Sequence, residues 1–416
     1  MSRPQESLVT AIDMGSSKTC VLVAEVGESG LRYRGHGLTE SRGTRKGAIV
    51  DLEKAVAGIQ RACELAEEVG GSPVEHALVG VSGAHIRGIN SRGGVSVATR
   101  PREITREDVR QAVEKARAVV LPADREVLHL LPQEFLLDEQ SSIRDPLGML
   151  GSRLEAKVHM VTVAAAATQT VVSAVNRAGV QVDDTVYEPL ASADAILRPD
   201  ERELGVCLAD VGAGSTDLIV YQEGAVVHTA VVPIGGDHFT NDVAVGLRTP
   251  LTDAEKIKCS CGCAQVSRVP EGNEVEVPSV GDRPSRLMPQ RSLAEILEPR
   301  AQELFEMLRD NLAHAGVLEL CGAGLVLTGG GSRLRGLAQV AETVLNRPVR
   351  SAVPAVLDKM PAALAEPEFS TALGMIFYGH RALVARGAQP ESLLARLKAM
   401  FGKSGTNGNG RNGHGK

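Results

Sequence analysis

One pattern occurs twice in this chain and restricts its fold more than any other feature. Leu8-Val9-Thr10-Ala11-Ile12-Asp13 is a short β-rich run ended by the polar turn Gly15-Ser16-Ser17-Lys18-Thr19, after which an apolar run resumes from Cys20 to Val26. The same order returns in Gly205-Val206-Cys207-Leu208-Ala209-Asp210, the turn Gly212-Ala213-Gly214-Ser215-Thr216, and the run Asp217 to Tyr221. Each unit reads as a hairpin closed over a small turn. The offset from Asp13 to Asp210 is 197 residues. A repeat of this kind predicts an α/β protein whose two halves face each other across a cleft. At 416 residues the chain is long enough for both. With no Trp, 4 Tyr and 6 Phe, the cores must be built from Val, Leu, Ile and Ala, which suits buried parallel sheets flanked by helices.

Further elements are legible between and beyond the hairpins. Leu78 to Gly83 and Val158 to Val163 are strand candidates, and Thr168 to Ala178 looks helical. Ile104 to Val120 carries Val109, Val113, Ala116 and Val120 at helical spacing. Thr105, with Asp108 three residues later, marks its start. Ala264 to Gln290 is polar with several Pro and Gly and is expected to be an exposed excursion; Leu293 to Leu312 is expected to be a long amphipathic helix. Gly402 to Lys416, Gly/Asn-rich, is expected to be disordered. Cys259-Ser260-Cys261-Gly262-Cys263 would put three thiols on one face of a strand, as small buried or edge residues or, alternatively, as zinc ligands.

Charge and composition exclude several classes. A net charge of −6 argues against a nucleic-acid partner. Met1 to Ser7 lacks the apolar core of a secretion signal. No stretch approaches the roughly 20 apolar residues of a spanning helix. Seven scattered Cys read as reduced thiols, so a cytoplasmic protein is expected.

A metal-bound triphosphate needs backbone amides for its oxygens, carboxylates for the waters of the metal, and a pocket for the base. Two opposed Gly-containing turns supply the amides, because Gly permits close approach of the backbone to phosphate. Asp13 and Asp210, each just before its turn, are the candidates for Mg2+, which keeps several waters and is held largely through them. Gly329-Gly330-Gly331-Ser332 follows an apolar strand, Gly324 to Leu327, and is the candidate third segment against purine and ribose. Any one such turn, taken alone, is usually only a turn.

The ordered set is more specific. Asp13-Met14-Gly15-Ser16-Ser17-Lys18 resembles the first phosphate motif of the actin, heat-shock chaperone and sugar-kinase superfamily. Asp210-Val211-Gly212-Ala213-Gly214-Ser215-Thr216-Asp217 resembles its second, and Leu327-Thr328-Gly329-Gly330-Gly331-Ser332 its adenosine motif. The resemblance implies an actin-like ATPase fold with ATP held by Gly15, Ser16, Ser17, Lys18, Gly212, Ala213, Gly214, Ser215, Thr216, Gly329, Gly330, Gly331 and Ser332. Tyr187-Glu188-Pro189-Leu190-Ala191-Ser192-Ala193 resembles a segment whose Glu lies near the metal and the attacking water, a role that passes to Glu188; the alternative is a helix cap. Ala254-Glu255-Lys256-Ile257-Lys258 resembles the segment whose Glu and Lys reach the adenosine, which adds Glu255 and Lys258; by itself it is a solvated helix face.

Within that superfamily, Ser91-Arg92-Gly93, Pro132-Gln133-Glu134-Phe135, Asp145-Pro146, Gly235-Gly236-Asp237, Leu293 to Arg300 and Glu368 to Gly374 are similar to the FtsA family, over about Leu8 to Gly379. The family resemblance implies a first-lobe core at 1–83 and 162–198 that returns at about 366–386, and an inserted subdomain at 84–161 used for subunit contacts. It implies a second-lobe core at 199–242 and 314–365, and a small subdomain at 243–313 that receives the C-terminal peptide of FtsZ. Arg291 and Arg300 are the candidates for that acidic peptide, with solvated helix charges as the bland reading. A linker at 387–390, a membrane-targeting helix at 391–403 and a disordered tail at 404–416 complete the expected organisation. Leu393, Leu394, Leu397, Met400 and Phe401 fall within roughly a 120° arc of that helix. Arg396 and Lys398 flank the arc, the pattern of a helix lying in an anionic membrane surface, or else of a docked or partner-binding helix.

The implied function is an ATP-binding, actin-like division protein that polymerises and anchors the FtsZ ring to the inner face of the cytoplasmic membrane at the division site. It would help recruit later division proteins and be at most a weak ATPase. The alternatives are an actin-like pilus-assembly ATPase, against which the terminal amphipathic stretch speaks, and a small-molecule kinase, for which no acceptor-binding segment is found.

Overall fold

The computed structural model describes residues 7–27, 30–281 and 283–387. Its two main sheets have one topology. In the first, strands Gly30–Glu40, Lys18–Gly27 and Ser7–Met14 run antiparallel in that order, and His76–Val81 and Gln181–Tyr187 continue the sheet in parallel. In the second, Ala225–Val232, Thr216–Gln222 and Val206–Val211 are antiparallel, followed in parallel by Leu325–Thr328 and Val349–Ser351. The central strands are apolar without alternation because both faces are covered: Val206 to Ala209 and Leu325 to Leu327 are all buried. On the first sheet, helix Leu52–Gly70 starts at Asp51, whose carboxylate accepts from the Lys54 N–H, and ends at left-handed Gly71.

Residues between these sheets form a separate four-stranded antiparallel sheet, ordered Gln140–Ile143, Arg125–Leu137, Arg153–Ala164, Arg87–Ser96, with helix Arg106–Arg117 on one face. Its own core comprises Ile104, Val109, Val113, Ala116, Phe135, Leu154, Val158 and Met160 among others. Thr105 and Asp108 form a reciprocal capping box at the helix start. The helix is shorter than its apolar spacing suggests. Ala118 leaves helical geometry, with ψ 47°, so Val120 lies beyond the end and is 96% exposed instead of joining the buried face.

Two other expectations are corrected. The Ala264–Gln290 excursion contains a hairpin, Glu274–Val277 with Arg286–Pro289, which buries Val275 and Val277 while Glu274 and Glu276 face out. The thiols do not share a strand. Cys259 and Cys261 end helix Leu251–Cys261, Gly262 caps it and Cys263 follows in the loop, so helical rotation splits them into exposed, half-buried and buried. Helix Gln290–His314 contains the expected Leu293–Leu312 span.

The lobes are joined by helices Glu188–Ile196 and Ser370–Gly387, which pack backbone to backbone. A Cβ at Gly374 would lie 1.8 Å from the Ala191 carbonyl oxygen, so only Gly fits there. Leu208 and Ile219 of the second lobe share one core with Ile12 and Val79 of the first. No helix among the described residues is long and apolar enough to cross a membrane. The expectations for 388–416, including Leu393, Leu394, Arg396, Leu397, Lys398, Met400 and Phe401, lie outside the described residues.

Candidate functional site

The two hairpins match residue for residue. Asp13 pairs with Cys20 and Met14 with Thr19; 197 positions on, Asp210 pairs with Asp217 and Val211 with Thr216. A Cβ on Gly15 would meet the Lys18 carbonyl oxygen at 3.1 Å, and one on Gly212 the Ser215 carbonyl oxygen at 3.1 Å. Each turn is held from behind by the chain that follows the third strand. Ser41 N–H donates to the Ser17 carbonyl and the Thr44 hydroxyl to that of Gly15, at 2.9 and 3.0 Å. Gly236 N–H donates to the Gly212 carbonyl and Asp237 N–H to that of Ala213, at 2.9 and 2.8 Å. The turns approach each other across the cleft: a Cβ on Gly214 would lie 2.9 Å from Ser16 Oγ and 2.7 Å from Lys46 Cα.

Four carboxyl groups converge here. Burial pushes Asp13 up to about 6, with Lys18 pulling back down and Asp210 adding to the rise. Burial and the Asp210 charge push Asp217 up to about 7. Desolvation, then Asp13, raise Glu188 well above the usual carboxylate range, against a hydrogen bond with Ser82. Asp210 is raised by burial while hydroxyls of Ser192 and Thr371 stabilise its charge; they lie 2.7 and 3.3 Å from Oδ2, one on each joining helix. Lys18 Nζ donates to the Glu368 carbonyl at 2.6 Å and lies 3.7 Å over the Phe369 ring centre. Burial lowers its pKa.

Asp217 Oδ1 is buried and makes no hydrogen bond. Hard oxygen donors, an orphaned carboxylate oxygen and glycine-lined turns fit a hydrated Mg2+ on a phosphate chain. Among the described residues no three His, Cys, Asp or Glu side chains gather as direct metal ligands.

The remaining candidates border the same cleft or lie away from it. Gly329 has φ 80° and donates its N–H to the Pro367 carbonyl at 3.2 Å; a Cβ there would sit 2.3 Å from Asp210 Oδ1. Ser332 Oγ donates to the Gly329 carbonyl, and Gly331 packs on Val211. Lys258 Nζ bonds the Gly236 carbonyl and Thr240 Oγ1, at 3.1 and 2.8 Å, and pairs with Glu255 at 2.7 Å. Glu255 and Lys258 thus reach the segment that backs the second turn. Arg291 and Arg300 sit apart on helix Gln290–His314. Arg300 grips Asp242 through two hydrogen bonds of 2.6 and 3.0 Å, and Arg291 pairs with Glu295 at 3.4 Å.

Sequence reasoning missed Ser192, Thr371 and the Glu368–Phe369 seat of Lys18. It missed Asp217 as well, which stands at the place in its hairpin that Cys20 holds in the first.

Profiles of two families match: "Cell division protein FtsA" over residues 207–374 and "SHS2 domain inserted in FTSA" over residues 83–162. Cell division protein FtsA of Pseudomonas aeruginosa is 45% identical over 373 residues, 89% of each chain. That of Escherichia coli (strain K12) is 39% identical over 403 residues, 95% of each chain. Two solved structures share the fold. A PilM-PilN type IV pilus biogenesis complex has TM-score 0.63 and 18% identity, covering 91% of this chain and 99% of that one. MreB 5 of Spiroplasma citri bound to AMPPNP has TM-score 0.54 and 12% identity, covering 92% and 100%.

Proposed function

This chain belongs to the FtsA family of cell division proteins, and from that premise we propose that it binds ATP with Mg2+ between its lobes, polymerises, and ties FtsZ filaments to the inner face of the cytoplasmic membrane. As an actin-like cell-division protein it is not favoured for pilus assembly: its sequence likeness runs to division proteins, and only the fold is shared with the pilus complex. The observation that carries the nucleotide reading is the convergence of Asp13, Asp210, Asp217 and Glu188 between two hairpins of one geometry, with Asp217 Oδ1 left unpartnered.

In this reading the amides of Gly15 to Lys18 and Gly212 to Thr216 bind phosphate oxygens. Asp13 and Asp210 accept from the waters of the metal, with Ser192 and Thr371 fixing the Asp210 rotamer. Mg2+, when bound, neutralises charge on the phosphate oxygens. Lys18 exchanges the Glu368 carbonyl for a phosphate oxygen. Glu188 accepts the proton of the attacking water; the desolvation that raises its pKa makes it the stronger base once ionised. Gly329 to Ser332, Glu255 and Lys258 border the adenosine. Arg300, to reach an acidic FtsZ peptide, shares or gives up Asp242.

Membrane attachment rests on the sequence of residues 391–403. One such helix binds marginally, and a filament presenting many copies raises the avidity by orders of magnitude. The full chain should therefore pellet with anionic vesicles in ATP and Mg2+, steeply with concentration. Leu397→Glu should stay in the supernatant while binding ATP normally. Equal pelleting of the variant and the parent would remove the helix from the account.

A further inference from the structure

We infer that the inserted subdomain positions Glu188 through two buried histidines, His129 and His159, which makes both positioning residues for ATP hydrolysis. The inference rests on the reading of Glu188 as the residue that handles the water. Glu188 is the first residue of its helix, and the preceding Tyr187 provides no side-chain cap. The carboxyl is therefore aimed by the backbone at the strand-to-helix junction, and Tyr187 is the last strand residue of that junction.

Tyr187 is held at both ends. Its N–H donates to His129 Nε2 at 2.9 Å. A backbone N–H can only donate, so Nε2 is unprotonated and His129 carries its proton on Nδ1. The Tyr187 hydroxyl donates to the Leu218 carbonyl at 3.5 Å and lies within hydrogen-bonding reach of the side chain of Thr229, on the outer strand of the second lobe's sheet. Thr229 Oγ1 lies 3.0 Å from His159 Nε2, and His159 Nδ1 lies 2.7 Å from Asn90 Oδ1. Asn90 Nδ2 donates to the Val227 carbonyl and Gln133 Nε2 donates to Asn90 Oδ1, which fixes the amide orientation. His159 Nδ1–H then donates to Asn90, and Nε2 accepts the Thr229 hydroxyl proton. Burial, and secondarily His228, hold His159 down to about 3, so it is neutral.

The chain of hydrogen bonds crosses three bodies. His129, His159, Asn90 and Gln133 come from strands of the inserted subdomain, Thr229 from the second lobe, and Tyr187 from the first. Tyr187, His159, His129 and Thr229 are all buried, at 0, 1, 4 and 4% exposure. Space is kept for it by Gly88, where a Cβ would lie 2.4 Å from Thr229 Oγ1 and 2.7 Å from His159 Cε1. His129 holds Tyr187 directly at its N–H, and His159 holds the Thr229 side chain that faces the Tyr187 hydroxyl, so the two histidines bracket one residue. A satisfied buried network specifies a single arrangement, and here that arrangement sets the residue before Glu188. A shift of the inserted subdomain therefore moves the Glu188 carboxyl.

Single-turnover hydrolysis by the full chain, with ATP affinity and thermal unfolding measured alongside, tests this. Thr229→Val keeps the shape and removes the hydroxyl; His129→Leu removes the acceptor. Both should slow hydrolysis about 10- to 100-fold with ATP affinity unchanged, since a displacement near 1 Å has that scale of effect. Thr229→Ser and His129→Gln, which restore a hydroxyl and an acceptor, should recover most of the rate. Should His129→Leu fail to fold, the Thr229 pair carries the same comparison. Wild-type rates in Thr229→Val and His129→Leu, with Glu188→Gln slow, would overturn the inference and leave the site reading intact. A parallel loss of affinity and rate would reduce the histidines to scaffolding and overturn it as well. A wild-type rate in Glu188→Gln, or no hydrolysis by the parent chain, would overturn the reading itself together with the inference.

Discussion

Moved on by 197 residues, the first hairpin falls on the second: the same register, the same glycine against the same carbonyl at 3.1 Å. The side chains differ. Where the first has Lys18 and Cys20, the second has Ser215 and Asp217. One turn thus brings a cation to the cleft and the other a second carboxylate, so a repeated backbone carries divided chemistry. The backing differs too. The first turn's Gly15 carbonyl is held by a side-chain hydroxyl, Thr44, and the matching Gly212 carbonyl by a backbone N–H, that of Gly236. The second turn is also tied by its Thr216 hydroxyl to the Ile234 carbonyl, so its backing segment contributes main-chain groups only, and the second lobe is expected to be the stiffer jaw.

That difference can be broken from either side. Gly235→Ala would put a Cβ 2.5 Å from the Ala213 carbonyl oxygen and 2.7 Å from Ser215 N, with no side chain able to give way. Overpacking of this kind costs about 1–3 kcal/mol. If the strain falls on the turn, affinity for ATP with Mg2+ should drop about 5- to 150-fold, measured by calorimetry. Thr44→Val removes one hydrogen bond from the first turn, worth about 1 kcal/mol, and should cost about fivefold. A larger loss from Thr44→Val than from Gly235→Ala would reverse the assignment of the stiffer jaw.

Acid–base behaviour gives a smaller, sharper contrast. Asp217 stands at about 7 and Asp13 at about 6, against an ordinary 3.8. Between these values the folded protein keeps protons that the unfolded chain has released. Their contribution to stability is therefore full below about pH 4 and is lost as pH rises through 6 to 7. Without nucleotide, the urea midpoint should fall from pH 5 to pH 7.5, and Asp217→Asn should flatten the part of the fall above pH 6. A midpoint independent of pH in both proteins would mean that these carboxyls are not desolvated as described.

Much of this was legible in the sequence, because hairpins, glycine turns and buried apolar strands are local signals. The Asp13 and Asp210 turns and the Thr105 capping box needed only neighbouring residues. What escaped depends on long-range packing. Ser192 and Thr371 meet Asp210 from 18 and 161 residues away, on helices brought together by the Gly374–Ala191 contact. The hairpin at Glu274–Val277 did carry period-two alternation, but four residues among Pro and Gly read as loop. At Cys259–Cys263 alternation misled instead, since a helix ends inside the motif at Gly262.

The central claim is that the two hairpins form one metal-dependent nucleotide site, and Asp210, bonded by both joining helices, is its most direct probe. Calorimetry of ATP binding, with and without Mg2+, on the full chain and on Asp210→Ala is the measurement. The account predicts Mg2+-dependent binding by the parent chain and a loss of at least tenfold in the variant, with thermal unfolding still cooperative. Equal affinity in the two proteins, in the presence of Mg2+, would contradict it.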